Sequence, residues 1–199
     1  MPAPFSYPAQ SHLRRHGPRG YAQHEAFRPW LRDEFEFRCV FCLRREQWDR
    51  ASTLEIEHFQ ATARKPSSEL DYDNLLYACS RCNSAKGVRE VTDPTQLLLA
   101  DTVSVEPRGR LVGLTDATRR LIAEMRLNHP RLVHFRRLWL EVVAMANRFA
   151  PELYRQLMGY PDDLPNLGRL RPPQGNKRTD GIANSCYERR KRGELPETY

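Results

Sequence analysis

Apolar and polar positions follow two different rhythms along the chain. Leu54-Glu55-Ile56-Glu57-His58 alternates with a period of two, which predicts a short half-buried strand. The apolar run Leu75-Leu76-Tyr77-Ala78 predicts its partner strand, and the polar residues 60–73 between them, with Pro66 and two serines, predict a loop. Asn83 to Gly87 reads as the start of a helix, and Asp93-Pro94 closes the segment. Thr102–Val105 and Arg110–Leu114 flank the turn signal Pro107-Arg108-Gly109, which predicts a hairpin over 96–116. The rhythm then becomes helical. Leu121, Ile122, Met125 and Leu127 form one face behind a cap at Thr115 or Asp116. Asn128 is the expected cap of a longer helix with Pro130 in its first turn, whose stripe runs from Leu132 to Phe149 and makes Trp139 and Phe149 core residues. Pro151 restarts a short third helix through Leu153, Tyr154, Leu157 and Met158. Strands set apart from helices predict an α+β fold.

The two ends lack such patterns. Residues 1–33 carry prolines, glycines and arginines and read as a basic arm, with a short helix entering near Pro29 through Trp30, Leu31 and Phe35. Residues 161–199, rich in proline and glycine and containing Arg189-Arg190-Lys191-Arg192, read as a loosely packed basic tail. The expected organisation is therefore an arm (1–33), a compact module (34–95), a hairpin with a helical subdomain (96–160) and a tail (161–199).

Composition narrows the class. The chain of 199 residues has no apolar run long enough to span a membrane and no export signal in Met1–Gln10, so a cytoplasmic location is expected. Its 32 basic and 25 acidic residues leave a net charge of +7. All but four of the basic residues are arginine, which suits bidentate contact with phosphate. That balance points to a nucleic-acid partner.

Candidate chemistry begins with cysteine. Cys39-Val-Phe-Cys42 and Cys79-Ser-Arg-Cys82 are two pairs of the spacing that lets both thiolates of a knuckle reach one zinc ion. Cys186 fits neither pair. A closed four-thiolate zinc clamps the ends of the module and lets Glu57, His58 and Asn83 converge. A neutral imidazole at His58 is a base for activating water, and oxygens of Glu57 and Asn83 suit a hard divalent cation. His129 and His134 receive no role, and His12, His16 and His24 lie too scattered in the arm to form a site.

The order Glu57-His58, then Asn74-Leu75, then Cys79-x-x-Cys82-Asn83-x-x-Lys86 resembles the HNH endonucleases, the ββα-metal or His-Me finger nucleases, over roughly residues 36–92. The nearest variant is the zinc-bearing type that carries asparagine at the last motif position. The resemblance implies a ββα-metal finger with an H-N-N motif. It implies that His58 is the general base, Glu57 and Asn83 hold one catalytic Mg²⁺ or Mn²⁺, and Asn74 holds the loop and orients His58. Lys86 becomes a phosphate contact, and Arg81 and the run Arg189, Arg190, Lys191 and Arg192 further nucleic-acid contacts. The implied activity is divalent-metal-dependent hydrolysis of DNA, in the setting of restriction or phage defence, with a defence ATPase as a candidate partner. RNA as substrate and a homodimer stay open. The rival reading is a catalytically silent zinc-ribbon adaptor that binds nucleic acid beside a partner protein.

Overall fold

The computed structural model describes residues 3–49 and 54–199. In chain order its main elements are α1 (Arg28–Glu34), β1 (Glu55–His58), β2 (Leu75–Ala78), α2 (Ser80–Lys86), α3 (Pro94–Leu97), β3 (Val103–Val105) and β4 (Leu111–Gly113). Then come α4 (Asp116–Glu124), α5 (Pro130–Phe149), α6 (Pro151–Met158), α7 (Asp180–Ala183) and α8 (Cys186–Lys191). Helices and two small sheets are mixed as an α+β chain requires, and no helix among the described residues is long and apolar enough to cross a membrane.

The first sheet is an antiparallel pair in which His58 faces Leu75 and Glu55 faces Ala78. β2 is buried along its whole length because α1 packs on it, which is why it reads as a continuous apolar run. β1 is buried only at its centre, which is why it alternates. Trp30, Leu31, Phe41, Leu75, Tyr77, Leu121 and Met158 contribute to one core shared by both halves of the chain.

The second sheet is seated on the helices by its turn. Gly109 adopts φ +81°, and a Cβ there would lie 2.5 Å from the Val133 carbonyl oxygen, so only glycine lets the turn approach α5 this closely. Buried Arg136 donates from Nε to the Gly109 carbonyl at 2.6 Å and locks the contact. Thr115 caps α4 by a reciprocal bond pattern with Thr118. The cap of α5 differs from the expectation: His129, not Asn128, accepts the Arg131 N–H. Asn128 instead donates to the Leu111 carbonyl and accepts the Leu111 N–H, both at 2.8 Å, because β4 needs partners more than α5 needs a second cap. Trp139 stacks on Trp48 with ring centroids 4.4 Å apart, as a core residue should. Phe149 does not join the core. It is 70% exposed with the Arg148 guanidinium over its ring, since the core covers only the inner face of α5 and the helix ends beyond it.

The arm and the tail are also better packed than their composition predicts. Phe5 and Tyr7 are buried, and the Tyr7 hydroxyl donates to the Phe41 carbonyl at 2.7 Å. Arm and tail pair with each other through Arg19 N–H to the Gly175 carbonyl and Gln174 N–H to the Arg19 carbonyl. Leu164, Leu167, Ser185 and Cys186 are buried. Long-range polar contacts replace the missing hydrophobic periodicity, chiefly Arg178 and Lys177 against Asp73 and the Cys186 N–H against Asp33.

Glu34 is the hub of that arrangement. Its buried carboxylate is bonded by His12 Nε2 at 2.8 Å, Arg15 N–H at 2.8 Å, His16 N–H at 3.0 Å and the Tyr72 hydroxyl at 2.9 Å. Burial alone would raise its pKa, but the His12 and Arg15 hydrogen bonds hold it at about 2, against an ordinary 4.5. A carboxyl depressed in the fold stabilises it above pH 4.5, and that contribution fades as the pH falls toward 2. The contribution at neutral pH is about 3 kcal/mol. Glu34→Gln is therefore expected to lower Tm at pH 7 by roughly 10 °C and by much less near pH 3. Thermal melts at the two pH values check this, and equal melting of both proteins at pH 7 would contradict it.

Candidate active site and metal centre

The first knuckle follows α1. A left-handed residue at Leu43 (φ +58°) and the bond from Leu43 N–H to the Cys39 carbonyl close the turn, and Val40 N–H to the Tyr77 carbonyl ties it to β2. The second knuckle opens α2, with Cys79 as its N-cap residue and Cys82 in its first turn. All four cysteines are buried and unpaired by disulfide, and their sulfurs lie within 4.8 Å of one another, Cys42 and Cys79 at 3.7 Å. A zinc tetrahedron with bonds of about 2.3 Å has edges of about 3.8 Å, so the donor set fits that ion in both softness and size. Burial raises the Cys39 thiol, whereas hydrogen bonds from the other three cysteines lower Cys79.

The second cluster lies where β1 meets α2. Alternation along the strand puts Glu55 and Glu57 on one face, toward the helix. Glu55 Oε2 accepts from Asn83 Nδ2 at 2.6 Å. Glu57 Oε1 accepts from Lys86 Nζ at 2.7 Å, and Lys86 donates again to the His58 carbonyl at 2.7 Å. Glu57 and Lys86 are both buried. Burial pushes the Glu57 carboxyl upward against the opposing pull of Lys86.

His58 projects toward the loop that follows β1. Its Nε2 lies 3.0 Å from the Glu69 carbonyl, an acceptor only, so that nitrogen carries the proton and Nδ1 keeps a lone pair. Burial lowers the His58 pKa below its ordinary 6.5, keeping the ring neutral at pH 7. Asn74 fastens the same loop at both ends. Its Nδ2 donates to the Gln60 carbonyl at 3.0 Å and the Ser68 carbonyl at 3.2 Å, and its Oδ1 accepts the Gln60 N–H at 2.7 Å.

The placement of the sequence-derived candidates is therefore mixed. The four cysteines meet. Asn74 and His58 share one loop. Glu57 and Asn83 flank the same face without touching, each held by a different partner. Lys86 is not a surface contact for phosphate: it is fully buried, and its ammonium is spent on Glu57 and the His58 carbonyl, because a buried cation must be paired. Arg81 is half-buried on the far side of α2 from β1. The basic run sits on and just after α8, where Arg190 donates to the Pro161 carbonyl and Arg192 pairs with Glu194 at 2.7 Å. It is thus partly consumed by the tail itself.

Two residues escape a reading of the sequence. Glu55, the carboxylate in contact with Asn83, is signalled by the same alternation that carries Glu57. His24, whose ring centroid lies 5.6 Å from that of His58, has no local signal, since only the fold brings the arm to β1.

No curated protein matches this chain. The match to a known family covers about a quarter of its length and falls on the two knuckles and everything between them: residues 39–89 match the family model of the HNH endonucleases, and the four cysteines there are positioned to bind a metal.

Proposed function

We propose that residues 39–89 hydrolyse phosphodiester bonds of DNA with a divalent ion. The observation that carries the reading is the state of His58: a neutral imidazole with its Nε2 proton pinned to the Glu69 carbonyl, on a loop fastened by Asn74, leaving Nδ1 to take a proton from water. The oxygens where β1 meets α2 suit Mg²⁺ or Mn²⁺. Asn83 Oδ1 and the Glu55 carboxylate, whose side chains meet at 2.6 Å, are the pair that would hold the ion, and Glu57 would join only if Lys86 gave way. When bound, the ion supplies positive charge for the pentavalent phosphorus and the leaving oxygen. Four buried thiolates at this spacing suit zinc as a structural ion. Restriction or phage defence is the biological setting this reading implies.

One observation favours a second reading. Lys86 places an internal cation against Glu57, the acidic residue expected to hold the metal, as a silent nucleic-acid-binding adaptor would allow. Metal titration separates the two. Glu55→Gln and Asn83→Ala are expected to raise the Mn²⁺ concentration for half-maximal cleavage at least tenfold. A shift in Glu57→Gln with none in Glu55→Gln would move the ion to Glu57, and no cleavage by the wild type at any Mn²⁺ or Mg²⁺ concentration would favour the adaptor.

A further inference from the structure

On the side of α2 away from β1 runs an open groove of about 650 Å³ between that helix and the corner joining α4 to α5. Its charged or titratable lining is Arg81 and Arg89 from the matched domain and Arg126 and His129 from outside it, with Lys86 already spent on Glu57. No carboxylate among the described residues lines it. Neither Arg81 nor Arg126 forms an ion pair among the described residues. His129 accepts the Arg131 N–H on Nδ1, so its Nε2 carries the proton and is a donor. The charges that act most on His129 are the guanidinium groups of Arg81, Arg131 and Arg126. Like charges gathered without counter-ions are unfavourable unless an anion completes them.

The backbone gives an independent sign. Arg126 N–H bonds to the Ala123 carbonyl and Leu127 N–H to the Ile122 carbonyl, the paired bonds that end α4 through one left-handed residue. That residue is ordinarily glycine. Here it is Arg126, at φ +49°. Arg126 thus presents an exposed cationic side chain at a position where glycine would be less strained.

We propose that this groove binds the sugar-phosphate backbone of the DNA that flanks the cleaved bond, using Arg81, Arg89, Arg126 and His129. For its substrate the proposal rests on the nuclease reading. Asn83 lies on the β1 side of α2, and a helix is about 10 Å across. The groove and the candidate site therefore stand little more than one helix width apart, within reach of one strand. The helical subdomain thereby supplies half of a clamp for the cleavage domain.

The test is equilibrium binding of a labelled DNA duplex by the full chain over a range of NaCl, with no divalent ion added. Arg126→Gly is expected to bind more weakly yet melt at or above the wild-type temperature, because glycine relieves the left-handed residue. Combined with Arg81→Ala, it should weaken binding on the order of tenfold and flatten the slope of log K against log salt by about 1.8, the loss of two phosphate contacts. Arg148→Ala removes the same charge near the other end of α5 and should change neither. Wild-type affinity and slope in the double variant, or equal losses in Arg148→Ala, would overturn the proposal, as would tighter binding to duplex RNA of the same sequence. A wild type that binds through the groove but never cleaves would remove the nuclease reading and leave the groove standing. A wild type that does not bind DNA at all would remove both.

Discussion

Cys79→Ser is expected to abolish metal retention and cooperative folding together. The wild type should purify with one zinc per chain, and the variant with none. Structural zinc in small domains contributes an apparent 10 kcal/mol or more, on the order of the whole stability of an ordinary domain, so the loss cannot be absorbed. The substitution isolates the metal. Cys79 is the N-cap residue of α2, where serine is among the preferred residues, so the helix start itself is not harmed. What is lost is one sulfur of the cluster that joins the turn after α1 to the turn before α2, and with it the registration of β1, β2 and α2. Elemental analysis and a thermal melt check this. A zinc-free Cys79→Ser protein melting like the wild type would refute the structural role of the site.

His58→Ala is expected to leave zinc content and Tm nearly unchanged and to cut turnover by roughly 10²- to 10⁴-fold, the range lost with a general base. His58 is only half-buried, and its ring bonds to a loop carbonyl, so its removal costs little in packing. The pH profile offers a second readout. Burial holds the imidazole below its ordinary 6.5, and the base acts when neutral. Wild-type turnover should therefore stay level from pH 7 down to about 6.5 and fall only below it, as the ring becomes protonated. The residual activity of the variant should lack that limb. Turnover within twofold of wild type would remove His58 as the base.

Much of this is legible in the residues because the forces concerned are local. The alternation of Leu54–His58, the cysteine spacings, the turn at Gly109 and the cap at Thr115 each act within a few positions, and each appears where the pattern places it. The differences share another cause. Asn128 reads as a helix cap because nothing nearby reveals that the outer edge of β4 is open at Leu111. Phe149 follows the stripe of α5, yet the core does not extend to the helix end, and periodicity is blind to where a core stops. The tail reads as loose because its anchors are ion pairs such as Arg178 with Asp73, more than a hundred residues apart in sequence. In the candidate site, the cysteines are readable from spacing, and His58 and Asn74 from the motif order that carries the family resemblance. The exchange of partners, Glu55 with Asn83 and Glu57 with Lys86, depends on the angle at which α2 meets β1, which residue types do not encode directly.

The most direct test of DNA hydrolysis through His58 is plasmid cleavage by the purified chain with Mg²⁺ or Mn²⁺, wild type beside His58→Ala, each with and without EDTA. Nicking or linearisation by the wild type alone, lost with EDTA, is the expected result. Equal cleavage by both proteins, or cleavage that persists in EDTA, would contradict it.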